Sequence, residues 1–270
     1  MSFRFGTGGV PISCDERTRA AGVRCIKELG LSAMEVEFVR GVNLSVEKAE
    51  EVRKVAEELD IALSVHAPYF INLASPEKPK IHASRKRILD SARVGAALGA
   101  RIVVFHPGFY MGRTPADTYE LVKESLVAIR KDMKNEGIEI LLGPEVTGKV
   151  KQFGGLDELI PLCQEVEGCM PVLDFAHLHA RQGGVLTSPE AFWEPIEKVS
   201  KAFPKKRIHA HFACIEFSDG GEKKHLTLDT QQPDYTLLAK ALKGKKIDIT
   251  FISESPNLEE DAVKLKEMLC

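Results

Sequence analysis

The chain has 270 residues, 44% of them hydrophobic, which suits either two small domains or one α/β barrel of about 250 residues. A formal net charge of −2 argues against global attraction to nucleic acid, although a local basic surface stays open. There is no apolar stretch of about 18 residues and no N-terminal apolar run ahead of a cleavage site, so a soluble cytoplasmic protein without membrane contact is expected. The six cysteines form no CxxC pair, which argues against a zinc ribbon and leaves reduced, mostly buried thiols as the expectation.

Strand-like and helix-like segments alternate along the whole chain. Phe3–Thr7 reads as a strand, followed by helical spacing over Glu16–Leu29 and a stop at Gly30. Ala33–Phe38 is a second strand, and Ser45 caps a helix to Leu59. Ile61–Val65 is the third strand, with a helix over Ser84–Leu98 that closes at Gly99. Arg101–Phe105 is an apolar run typical of a strand buried on both faces, and Thr114 opens a long helix to Asn135. Then come a strand at Ile138–Leu142, a helix at Leu156–Val166, a strand from Pro171 to Leu173 and a helix at Pro189–Ala202. The last units are a strand at Arg207–Ala210, a helix at Tyr235–Leu242, a strand at Ile247–Ile252 and a helix from Asn257 to Leu269. Eight β/α units without a linker predict one (β/α)8 barrel over residues 1–270. Phe212–Asp234 is the longest region without a predicted element, as expected of an active-site loop.

Six segments each end an apolar run in a metal-ligand type: SVHAP (His66), VVFHPG (His106), LLGPE (Glu145), VLDFAH (Asp174, His177), RIHAHF (His211) and FISES (Glu254). They recur at roughly thirty to forty residues. In a parallel barrel the strand ends converge on one mouth, so these side chains are expected around a common centre. Three histidines with three carboxylates suit Zn²⁺, with Mn²⁺ as a second choice, and exceed what one tetrahedral ion uses. Glu145 is the carboxylate placed to bridge two ions about 3.5–4 Å apart. His82 is expected on a helix surface, His209 one layer below His211 on the same strand face, and His179 is ambiguous.

Taken together, HAPYFINLAS, HPG, PEVTG followed by GGLDEL, DFAH, HAHF, KKHLTL and SESP resemble the endonuclease IV family of apurinic/apyrimidinic endonucleases, within the xylose-isomerase-like barrels. The resemblance runs from about Glu35 to Pro256, and implies a zinc enzyme that hydrolyses the phosphodiester 5′ to an abasic site in duplex DNA, as in base-excision repair. It assigns His66, His106 and Glu145 to one zinc, and Glu145, Asp174, His211 and Glu254 to a second, with Glu145 and Glu254 as catalytic carboxylates. For a third zinc the family uses a histidine matching His177 and an Asp-x-His after the seventh strand. Here that stretch reads EKKH: His225 matches, but Lys223 stands at the aspartate position and offers no lone pair. Either Glu222 substitutes through a loop shift or the third ion is absent. The family also pushes side chains into the DNA stack, a role that falls to Tyr69 and Phe70, with Arg40 as a looser match. Nothing in the motifs implies a protein partner, so a monomer is expected. A sugar isomerase or epimerase of the same barrel group, and a metal-binding relative with altered specificity, remain the alternatives.

Overall fold

The computed structural model describes residues 2–270. In chain order it contains β1 (Ser2–Gly8), α1 (Arg19–Glu28), β2 (Ala33–Glu37), α2 (Val46–Leu59), β3 (Ala62–His66), α3 (Lys78–Ala97), β4 (Ile102–Phe105), β5 (Gly108–Phe109) and α4 (Pro115–Asn135). These are followed by β6 (Leu141–Pro144), β7 (Gln152–Phe153), α5 (Leu156–Glu165), β8 (Leu173–Asp174), α6 (Phe175–Arg181) and α7 (Pro189–Ala202). The remaining elements are β9 (Ile208–Phe212), β10 (Cys214–Ser218), β11 (Gly221–Leu226), a 3-10 turn (Leu228–Thr230), α8 (Tyr235–Leu242), β12 (Asp248–Ser253) and α9 (Glu259–Leu269).

Eight parallel strands lie in the order β6-β4-β3-β2-β1-β12-β9-β8. The ring closes because residues 168–172, leading into β8, bond back to β6: Leu142 N–H donates to Gly168, Met170 to Leu142, Val172 to Pro144 and Val146 to Val172. The predicted (β/α)8 barrel is therefore the fold. Strand β1 carries glycine where β2 comes close, since a Cβ on Gly6 would collide with the backbone carbonyl of Ala33 on β2. Between strands and helices lies an aromatic layer. Phe5 stacks on Phe251 at 5.6 Å, and Phe175, Phe192, Phe212 and Tyr235 pack beside them. Helices start where the sequence supplies caps: Thr18, Ser45, Thr114 and Ser188 each accept a first-turn N–H. Among the described residues no helix is long and apolar enough to cross a membrane.

Three expectations need correction. Phe212–Asp234 is not a bare loop, because β10 and β11 form an antiparallel hairpin there. Its turn runs through Asp219 and Gly220 into Gly221, which begins β11 at φ +96°, a conformation glycine adopts without strain. DFAHLHA does not simply end a strand but turns at once into the short helix α6. Cys14 and Cys25 are not free thiols. The loop after β1 folds back on α1, brings their Cα atoms to 6.0 Å and joins them in a disulfide, a contact that spacing alone does not reveal. Cys163, Cys169 and Cys214 are free and buried as expected, and Cys270 is free but exposed.

Candidate metal centre

All six strand-end ligand types project into one mouth, with Glu145 at the middle. Its Oε2 lies 3.2 Å from His66 Nε2 and 2.9 Å from His106 Nε2, and its Oε1 lies 3.2 Å from His211 Nδ1 and 3.3 Å from His177 Nδ1. Glu254 Oε1 is 3.1 Å from His211 Nδ1. Asp174 caps the helix it begins: Oδ1 accepts the His177 N–H at 2.7 Å, while Oδ2 is buried with no hydrogen-bond partner among the described residues. The strand-to-helix turn thus aims one oxygen of Asp174 into the mouth and stacks His177 beside it.

Backbone carbonyls orient the imidazoles. His66 Nδ1 faces the Ala67 carbonyl at 2.8 Å, His177 Nδ1 the Val146 carbonyl at 2.9 Å, and His225 Nδ1 the Glu254 carbonyl at 3.1 Å. With the proton on each of these nitrogens, Nε2 of His66 and of His177 turns a lone pair toward the carboxylates, the arrangement a metal-binding histidine needs. Donor atoms of His66, His106 and Glu145 lie within 4.8 Å of one another, as do those of Glu145, Asp174, His211 and Glu254, and those of Asp174, His177 and His225.

At the third cluster the structure departs from the motif match. The β10–β11 ladder pairs Glu216 with Lys224 but Phe217 with Glu222, so Lys223 is an extra residue, a β-bulge. The bulge resets the side-chain alternation. Lys223 points outward to Glu216 at 3.4 Å, and Glu222 turns inward, placing Oε2 2.7 Å from His177 Nε2. Of the alternatives the sequence left open, the bulge supplies the shift that brings Glu222, and not Lys223, against His177. With the His177 proton on Nδ1, two lone pairs would meet across that 2.7 Å contact, which a cation or a second proton resolves. The donor set and the orphaned Asp174 oxygen therefore fit bound divalent cations.

The electrostatics follow from burial. Burial alone would raise the Glu145 carboxyl, but the surrounding imidazoles, His106 and His211 foremost, hold it well below the ordinary carboxylate range. Burial likewise opposes ionisation of Glu254 and Glu222, yet His211 and His177 respectively bring them down to about 2. Burial disfavours charge on His66, His177 and His211, and the facing carboxylates more than reverse it, raising His66 to about 10.

Of the DNA-facing candidates, Tyr69 (62% exposed) borders the cavity and Phe70 (66% exposed) stands beside it on the rim. Arg40 is exposed after β2 and does not line the cavity. That cavity, about 360 Å³, is floored by His66, His106, His177, Glu222 and Glu254 and flanked by Lys223 and Lys224. His82 is exposed on α3, as expected. His179 is structural, accepting the Leu186 N–H and packing edge-on against Phe217. The sequence reading missed Glu35 and Glu37. Both belong to β2, and burial, with Glu35 and Glu254 nearby, pushes the Glu37 carboxyl up to about 8. Their signal was the pattern AMEVE: two acids two apart in an otherwise apolar strand share one face.

Residues 23–270 match the family described as xylose isomerase-like TIM barrel. The chain belongs to this family. An uncharacterised protein of Methanocaldococcus jannaschii, MJ0133, is 39% identical over 264 residues, covering 97% of this chain and 94% of that protein. A probable endonuclease 4 of Mycoplasma mobile is 26% identical over 232 residues, covering 84% and 81% respectively. Among solved structures, endonuclease IV from Thermus thermophilus superposes with a TM-score of 0.75 at 20% identity, covering 98% of each chain. A D-tagatose 3-epimerase-like protein superposes with a TM-score of 0.74 at 20% identity, covering 100% of this chain and 96% of the other. At that identity the two superpositions speak for the fold alone.

Proposed function

We propose that the protein is a metal-dependent phosphodiester hydrolase that incises duplex DNA 5′ to abasic sites. The observation that carries the reading is the pair of donor clusters sharing Glu145, one made of His66, His106 and Glu145, the other of Glu145, Asp174, His211 and Glu254. His177 and His225, with Glu222, would hold a third ion. Zn²⁺ suits this donor set, and Mn²⁺ is the second choice. Bound there, such cations lower the pKa of water and neutralise the charge that builds on a phosphate during in-line displacement. The chain's own residues do the rest. The buried carboxylates keep the imidazoles at fixed angles, so the site needs little reorganisation during reaction. Lys223 and Lys224 offer ammonium groups to backbone phosphates at the rim. Tyr69 and Phe70 present exposed rings to the stack, where unstacking costs least at a missing base. The endonuclease 4 relatives support this reading.

One observation keeps a second reading in view. Glu145, Asp174, His211 and Glu254 by themselves form a set of three carboxylates and one histidine, enough for the single divalent ion of a sugar epimerase. Zinc-loaded protein incubated with a duplex carrying one abasic site distinguishes the two. Incision on the 5′ side, abolished by EDTA, is the expected result. An uncut duplex together with epimerisation of a ketose would overturn the nuclease reading.

A further inference from the structure

His211 is oriented differently from three other histidines of the mouth. His66, His177 and His225 each turn one nitrogen to a backbone carbonyl. His211 turns Nδ1 to Glu145 and Glu254, and turns Nε2 to a side chain: Oε1 of Glu35, 2.9 Å away though bent from a linear hydrogen bond. The other oxygen of Glu35 meets His209 Nε2 at 2.9 Å. Glu35 and His209 are almost wholly inaccessible to solvent. They come from β2 and β9, which are separated in the sheet by β1 and β12, so the contact spans the barrel interior. An ionised carboxylate there is unfavourable unless its partners offset the loss of water. An apolar side chain would fill the same space without that cost.

We propose that Glu35 is a positioning residue of the metal centre, holding His211 with its Nδ1 lone pair toward Glu145 and Glu254 while His209 holds Glu35 itself. The inference rests on the metal-dependent reading given above and names a residue that acts through a ligand. Neutral imidazole exists as two tautomers, and a carboxylate facing Nε2 favours the proton there, leaving Nδ1 free to ligate. His209 lies two residues before His211 on β9, so it reaches the same face one layer deeper and secures the second oxygen of Glu35.

The test is Zn²⁺ affinity of the full chain, measured by competition with a chromophoric chelator, with nitrogen NMR of the His211 ring as a second readout. Glu35→Gln keeps the volume and removes the charge. One bound zinc is expected to weaken about 10–100-fold while the others hold, and His211 to lose its preference for the Nε2–H tautomer. His209→Leu is expected to weaken the same ion to a smaller extent, and carries the test if Glu35→Gln does not fold. Unchanged zinc affinity in the folded variant would overturn the proposal, and so would an equal loss at every ion, which marks mere structural support. A wild-type protein that binds zinc but leaves abasic DNA intact overturns only the nuclease reading. One that binds no zinc overturns both.

Discussion

Glu145→Gln is the sharpest test of the centre, because each Glu145 oxygen faces two imidazole nitrogens at 2.9–3.3 Å. Whichever way the amide turns, its NH2 end meets two ring nitrogens and offers no lone pair. On that side a bound cation would lose the bridging ligand proposed for it, so bound metal is expected to fall by at least one ion per chain. Without a bridge to fix the ions, incision should drop by about 10² or more, the scale seen when a preorganised charge-stabilising group is removed. Stability should fall as well. Removing one partner of a buried ion pair costs about 3–5 kcal/mol. At about 2–4 °C per kcal/mol for a chain near this size, the metal-stripped variant should melt about 6–20 °C below the metal-stripped wild type. The assay combines thermal unfolding in EDTA, metal counting by elemental analysis, and cleavage of an abasic duplex. Full metal content with near wild-type incision would refute the shared-ligand assignment. An unchanged melting temperature would refute the claim that Glu145 is the counter-ion of the imidazoles.

The third cluster can be broken sterically. A Cβ on Gly148 would collide with the Glu222 carboxylate and press on His177, so Gly148→Ala should lower bound zinc by one per chain in elemental analysis, at a stability cost of about 1–3 kcal/mol. Three ions retained would show that Glu222 is no ligand. Tyr69→Ala with Phe70→Ala should weaken binding to abasic duplex by about 1–3 kcal/mol per ring in a fluorescence titration and leave zinc content unchanged. Equal binding would remove the wedge role. In chelator, stability should decline on both sides of about pH 4.5. Glu254 and Glu222, lowered to about 2, contribute stability that is lost as pH falls from about 4.5 toward 2. Glu37, raised to about 8, contributes stability present below about 4.5 and lost as pH climbs through 8, and His66, raised to about 10, contributes stability present below about 6.5 and lost as pH climbs through 10. Melting temperatures that keep rising from pH 6.5 to 9 would contradict this. Zinc affinity should instead rise with pH, because ligation displaces those protons.

Much of this architecture was legible in the linear chain. Strand periodicity and the recurrence of His66, His106, Glu145, Asp174, His211 and Glu254 at the ends of apolar runs are local properties, and parallel strand ends can only converge. Less legible were features that depend on pairing. The Cys14–Cys25 bond, the hairpin after β9 and the early turn at Asp174 require neighbours distant in sequence or a backbone that leaves its periodic path. Glu35 shows the boundary well. AMEVE announces two acids on one strand face, but only the closed barrel sets that face against His209 and His211.

The sequence by itself determined the barrel and the ligand types at its mouth, because both follow from alternation repeated strand by strand. Only the tertiary structure decided which residue meets His177. One extra residue in β11 reverses the alternation, so Glu222 enters and Lys223 leaves. A bulge is a property of two paired strands, and no reading of one strand contains it.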